Sequence, residues 1–141
     1  MKAIICIDDN NGMLFNKRRL SKDKDLNNWI IRYIKKNNLW IRPYSVELFE
    51  NYDKIRIAEN YLDKAGKNDY CFIEDKNYVN YTSQMDTILL CKWNRRYPSD
   101  TKFNISLLDE PWSMEKIAEF KGNSHEKITI EKYVLEDCAS L

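Results

Sequence analysis

Residues 1–29 read MKAIICIDDNNGMLFNKRRLSKDKDLNNW, and the order of signals in this stretch decides the fold. Ala3 to Ile7 is apolar and rich in β-branched side chains. It is too short for a membrane span and reads as a central strand buried on both faces. Asp8-Asp9-Asn10-Asn11-Gly12 breaks the run, because Asn and Gly accept positive φ and Asp side chains cap turn amides. After a basic loop, Ser21-Lys22-Asp23-Lys24-Asp25 carries helix-start chemistry. Ser21 or Asp23 can cap, and acids in the first turn oppose the positive end of the helix dipole. Asp25 and Trp29 lie four apart, which puts a carboxylate and a large aromatic on one helix face.

Working outward, 141 residues suit a single domain, 1–141, with a real core. The 23 basic and 22 acidic residues leave a net charge of +1, so no field draws the chain to nucleic acid or an anionic membrane, and neither partner is expected. No apolar run approaches a membrane span and no signal-like segment is visible, so a soluble, cytoplasmic protein is expected. Cys6, Cys71, Cys91 and Cys138 have no C-x-x-C spacing, and the first three sit in strand-like runs, where a thiol behaves as a small core hydrophobe. The sequence has only three glycines, Gly12, Gly66 and Gly122, which matters for any site that must admit a phosphate against bare backbone.

The helix starting near Asp23 continues through Leu26, Trp29, Ile30, Tyr33 and Ile34 as an apolar stripe and stops at Asn37-Asn38. Strands are expected at 39–41, 54–58, 70–73, 87–93 and 127–135, the last as an antiparallel edge. Ser45 to Tyr52 reads as a second helix capped by Ser45, 61–68 as polar connection, and 76–84 and 112–120 fit either helix or strand. Interleaved strands and helices with a hairpin-like tail imply an α/β fold: a central mixed, mostly parallel sheet with flanking helices and an antiparallel C-terminal strand pair.

Asp8, Asp9, Asp23 and Asp25 could gather around a hard cation, but acids beside turns are more often caps, and no metal is expected. His125 is the only histidine and is expected in a surface turn. Most of the aromatic residues should be core, although Tyr78 and Tyr81 beside Lys76 could form an exposed contact patch.

The opening, Ile4 to Gly12, followed by Asp23-Lys24-Asp25-Leu26 and Trp29, resembles the amino-terminal third of dihydrofolate reductases. The far end is similar too: Ser99-Asp100-Thr101-Lys102-Phe103, Trp112, Phe120, Asn123-Ser124-His125 and the strand Ile128 to Tyr133 follow in the family's order. The resemblance covers about half of the chain, and its weight lies in the shared order of individually weak motifs. It implies a substrate site of Ile4, Ile5, Leu26, Trp29 and Thr101 around Asp25 as the catalytic carboxylate. Asp25 would meet the amidine-like edge of a pterin with paired charge-assisted hydrogen bonds, Trp29 would stack on its face, and the Thr101 hydroxyl would support the acid.

Departures from the family pattern concentrate in the cofactor half. Where a glycine pair would let backbone amides approach the pyrophosphate of NADPH, the strand Tyr70 to Ile73 runs into Glu74-Asp75-Lys76. Of the second phosphate-binding segment only Arg42 and Ser45 remain as weak cofactor-binding candidates, and the unit between Lys54 and Tyr70 is shortened. The reading that follows is a reductase-like pseudoenzyme with no cofactor expected, which binds a protein partner or a pterin-like small molecule. The alternative is a divergent NADPH-dependent dihydrofolate reductase.

Overall fold

A computed structural model describes residues 1–136 of the chain; the expectation for Cys138 lies outside the described residues. In chain order the strands are β1 (Lys2–Ile7), β2 (Gly12–Phe15), β3 (Arg18–Arg19), β4 (Leu39–Ile41), β5 (Ile55–Ile57), β6 (Tyr70–Ile73), β7 (Thr87–Lys92), β8 (Thr101–Lys102), β9 (Trp112–Phe120) and β10 (Ile128–Leu135). The helices are α1 (Lys24–Ile34) and the single turn α2 (Tyr61–Lys64). A seven-stranded sheet runs β5-β4-β6-β1-β7-β10-β9, and a small sheet runs β3-β2-β8. β5, β4, β6, β1 and β7 are parallel, whereas β10 runs antiparallel to both β7 and β9. This is the mixed, mostly parallel α/β sheet with an antiparallel C-terminal pair that the sequence implies.

β1 lies between β6 and β7 and alternates between two cores because successive side chains leave a strand on opposite faces. Ile4 joins Leu26, Ile30 and Ile34 of α1, with Phe72, Leu89 and Trp93. Ala3, Ile5 and Ile7 join Cys71, Ile73, Leu90, Tyr61, Tyr78 and Phe103. Cys71 and Cys91 are fully buried free thiols, as their apolar neighbours suggest. Among the described residues no helix is long and apolar enough to cross a membrane.

Several expectations are corrected. The segment read as a helix from Ser45 to Tyr52 is a 3-10 helix over Pro43–Leu48 with no side-chain cap, because the Ser45 hydroxyl is drawn to a carboxylate. The connection at 61–68 contains α2, and 76–84 resolves into two 3-10 segments, Lys76–Asn80 and Thr82–Gln84. Tyr78 is buried, its hydroxyl accepting from the Asn104 amide, so it forms no exposed patch with Tyr81. β10 is interior and β9 is the edge.

Ile5 and Ile57 make a calibrated pair, the first fully buried in the central strand and the second 51% exposed on the edge strand β5. Ile5→Ala is expected to lower unfolding free energy in urea by about 2–5 kcal/mol. Ile57→Ala should stay within about 0.5 kcal/mol of the parent.

Candidate functional site

The parallel strands β4, β6 and β1 end on one edge of the sheet, the edge at which open α/β sheets place ligands. Beside it, a cleft is lined by Cys6, Met13, Arg19, Leu20, Ser21, Lys22, Asn27, Leu48, Phe72, Ile73, Glu74 and Trp93. The free space at its centre is ≈ 20 Å³, roughly what one water molecule needs. Past Lys22, Asn27 and Leu48 the cleft meets an open groove of ≈ 740 Å³ between α1 and residues 47–51, with Asn123 and Ser124 on its rim.

The cleft is closed at the sheet edge by Glu74, the residue that follows β6. Glu74 is 7% exposed, and an isolated carboxylate there would lose several kcal/mol of hydration. Arg19, on β3, compensates with a two-pronged contact, Nε to Oε2 at 2.7 Å and Nη2 to Oε1 at 3.1 Å. The Ser45 hydroxyl donates to Oε1, and Arg42, the residue after β4, lies 3.8 Å from the same oxygen while pairing with Asp75 at 3.3 Å. Both guanidiniums lie over the Tyr44 ring, Arg19 at 4.3 Å and Arg42 at 4.5 Å from its centroid, in cation-π contact. Arg42 Nε and Nη2 and the Tyr61 hydroxyl are buried without a hydrogen-bond partner among the described residues.

A second polar cluster fixes the start of α1. Of the candidate caps, Asp23 takes the role. Its carboxylate accepts from the amides of Asp25 and Leu26 in the helix and from those of Asn123 and Ser124 a hundred residues on. His125 Nδ1 lies 2.9 Å from Asp23 Oδ2, with both side chains almost wholly shielded from solvent. The expectation of a surface His125 is therefore corrected. The turn from Gly122 to His125 folds the imidazole inward, where Asp23 offsets its burial and Trp93 stacks on it at 4.5 Å. His125 Nε2 meets the Tyr97 hydroxyl at 2.9 Å and Ser21 Oγ at 3.1 Å. Burial pushes the Asp23 carboxyl up, but the bonds from His125, Ser124, Asn123 and Leu26 outweigh it and bring it to about 2.

Of the residues expected to hold a pterin, the structure brings none to the cleft lining. Asp25 is exposed and shares with Trp29 a separate surface depression bounded by Arg32, Phe120 and Lys121, so the shared helix face is real but points away from the cleft. Trp29 stacks on Tyr33 and Phe120. Ile4, Ile5 and Leu26 are core. Thr101, on β8, directs its hydroxyl to Asp100, so the expected support of Asp25 by Thr101 is not made. Asn27, two residues after Asp25, is the α1 side chain that lines the cleft. Nothing local in the sequence points to the Asp23–His125 pair, whereas the Asn27-Asn28 step inside an otherwise apolar-striped helix is a sequence signal for Asn27.

The gathering of acids around a cation is also absent. Asp8 spends Oδ1 on the amides of Asn10 and Gly12 and Oδ2 on that of Tyr97. Among the described residues no three His, Cys, Asp or Glu side chains form a metal site. The Cys6 thiol, in the cleft wall, is held well above its ordinary pKa, first by its hydrogen bond with Cys91 and then by burial, which makes it a poor nucleophile.

Glu74→Ala is expected to cost about 3 kcal/mol because it strands the Arg19 guanidinium, and adding Arg19→Met should return much of that loss. Urea unfolding of the two variants measures both steps. For Asp23, a carboxyl held below its unfolded value stabilises the fold above that value and loses the contribution as pH falls through the folded one. Stability should therefore drop by about 2 kcal/mol between roughly pH 4 and pH 2, and Asp23→Asn should remove this part of the acid transition in a pH series of thermal melts. A Cβ at Gly122 would fall on the Asp23 carboxylate, so Gly122→Ala should weaken the same transition.

No protein-family model matches the chain, and no curated protein matches it in sequence. Among solved structures the chain is similar to a dihydrofolate reductase from Enterococcus faecalis complexed with NADP(H) and RAB-propyl. The TM-score is 0.59, with 12% identity over 96% of each chain. At that identity the likeness speaks for architecture, and with the strand order above it establishes that this chain has a dihydrofolate reductase-like fold.

Proposed function

We propose that the chain is a binding module built on the dihydrofolate reductase-like fold, with hydride transfer lost. The observation that carries this reading is Glu74, buried against Arg19, Ser45 and Arg42 at the carboxyl end of β6. By resemblance, that is where a dinucleotide diphosphate would lie against bare backbone. The residues present do not fit such a group. Pairing with Arg19 and Arg42 mutes the repulsion expected of Glu74 and Asp75 toward phosphate, so the main obstacle is that the space is already filled. On the substrate side, ≈ 20 Å³ of free space and a neutral Asn27 offer a pterin neither room nor a counter-charge.

The open space that adjoins the cleft past Lys22, Asn27 and Leu48 is the ≈ 740 Å³ groove. It sets Lys22, Lys24, Glu47 and Glu50 around the amides of Asn27, Asn28 and Asn51, over an apolar strip of Ile31, Leu48 and Phe49. Mixed charges, amides and an apolar strip suit a polar segment of a protein partner, or a small pterin-like molecule lying outside the closed cleft. The nearly balanced charge gives nucleic acid no purchase.

A second reading, a divergent NADPH-dependent reductase, draws support from one observation. Among the described residues Arg42 Nε and Nη2 make no hydrogen bond, Nη2 having only its 3.8 Å ion pair with Glu74, and a phosphate could use them. Thermal melts separate the two. A ligand at a hundred times its dissociation constant adds roughly 2.7 kcal/mol of stability. We expect no shift with NADPH and no loss of NADPH absorbance with dihydrofolate, for the parent, Asp25→Asn and Asn27→Asp alike. A clear NADPH shift, or turnover by the parent, would establish the reductase instead.

A further inference from the structure

Ser21, His125 and Asp23 form a chain of contacts that neither reading uses. Ser21 Oγ lies 3.1 Å from His125 Nε2, and His125 Nδ1 lies 2.9 Å from Asp23 Oδ2. Asp23 is fixed by four backbone amides and stays ionised down to about pH 2, so it holds Nδ1 protonated and leaves Nε2 as the acceptor. Trp93 stacks on the imidazole and fixes its plane. Such a nucleophile, base and orienting acid are recognised by geometry rather than by sequence order. Ser21 is also the member of the three that lines the cleft, whereas His125 and Asp23 are sealed behind it.

We propose that Ser21 is a nucleophile activated by His125, with Asp23 as positioning residue, and that it hydrolyses small carboxylic esters. The ≈ 20 Å³ beside Ser21 holds about one water, the size of the hydrolytic nucleophile, and Lys22, Asn27 and Leu48, shared by cleft and groove, mark the side from which a short ester in the open groove would present its carbonyl to Ser21. Ser21 Oγ attacks the ester carbonyl while its proton passes to His125 Nε2. The carbon–oxygen bond to the alcohol breaks, the alcohol leaves with that proton, and an acyl-serine remains. Water then attacks the acyl carbon, giving its proton to Nε2. Collapse releases the carboxylic acid and returns the proton to Ser21.

Tyr97 modulates the site. Its hydroxyl lies 2.9 Å from Nε2 and 3.3 Å from Ser21 Oγ, so it competes with Ser21 for the single lone pair of the imidazole. The groups facing the ring are Asp23, Ser21, Tyr97, Ser124 and Trp93.

The test is labelling of the full chain with an alkyl phosphonofluoridate, followed by intact mass and peptide mapping, beside hydrolysis of p-nitrophenyl acetate. The expected result is one adduct, on Ser21, forming at a rate that rises with pH. Ser21→Ala should lose it. His125→Gln should slow it by about a hundredfold or more, and Tyr97→Phe, which leaves Nε2 to Ser21, should raise it. Labelling of Ser21→Ala as fast as the parent, reaction at Ser21 no faster than at the exposed Ser83, or a rate flat with pH would each overturn the proposal. If His125→Gln does not fold, Ser21→Ala, Tyr97→Phe and the pH profile decide the matter. None of these outcomes bears on NADPH binding, so the two proposals stand or fall separately.

Discussion

A carboxylate buried at the end of β6 organises this edge of the molecule. An ionised Glu74 at 7% exposure is tolerable only with a partner in contact, and the fold supplies Arg19 from one side and Ser45 and Arg42 from the other. The β2–β3 hairpin is thereby pulled across the strand ends, which brings Arg19, Leu20 and Ser21 over the cleft and closes it. Neutralisation and closure go together: Arg19, which satisfies the acid, also lines the cleft, where ≈ 20 Å³ stays free.

Asp23 does comparable work at the start of α1. It caps α1 and receives the amides of Asn123 and Ser124, so one carboxylate joins the start of the helix to the turn before β10. His125 comes inward as a consequence, and its second nitrogen reaches Tyr97 and Ser21. Loops from three distant parts of the chain are held by a network in which each member satisfies another, and low local dielectric strengthens every link while making each costly to remove.

The scaffold was largely readable in one dimension. The apolar run at Ala3–Ile7, the Asp23 cap with its stripe to Ile34, and the short apolar runs at 70–73 and 87–92 signal their elements through local composition and periodicity. The site was read less well. Asp23, Asp25 and Asn27 are spaced by two, and on a helix each residue turns about 100° from the last. Which of them faces the sheet edge, the cleft or the solvent depends on where the cap falls, and that is set by the amides of Asn123 and Ser124. Asp25 is singled out by the family resemblance, and its spacing to Trp29 places both on one helix face without saying which face. His125 was misread because nothing near it in sequence reveals that a carboxylate a hundred residues away will offset its burial.

The sequence by itself determined the α/β class, the strand that lies at the centre and the helix that follows it. These follow from backbone propensity and hydrophobic period, which act over a few residues. Tertiary structure alone decided that Glu74 would be paired rather than repelling, that the cleft would shrink to about the volume of one water, and that Ser21, His125 and Asp23 would meet. Those outcomes depend on desolvating charges from distant segments in a common space, a free-energy term that exists only once the segments are together.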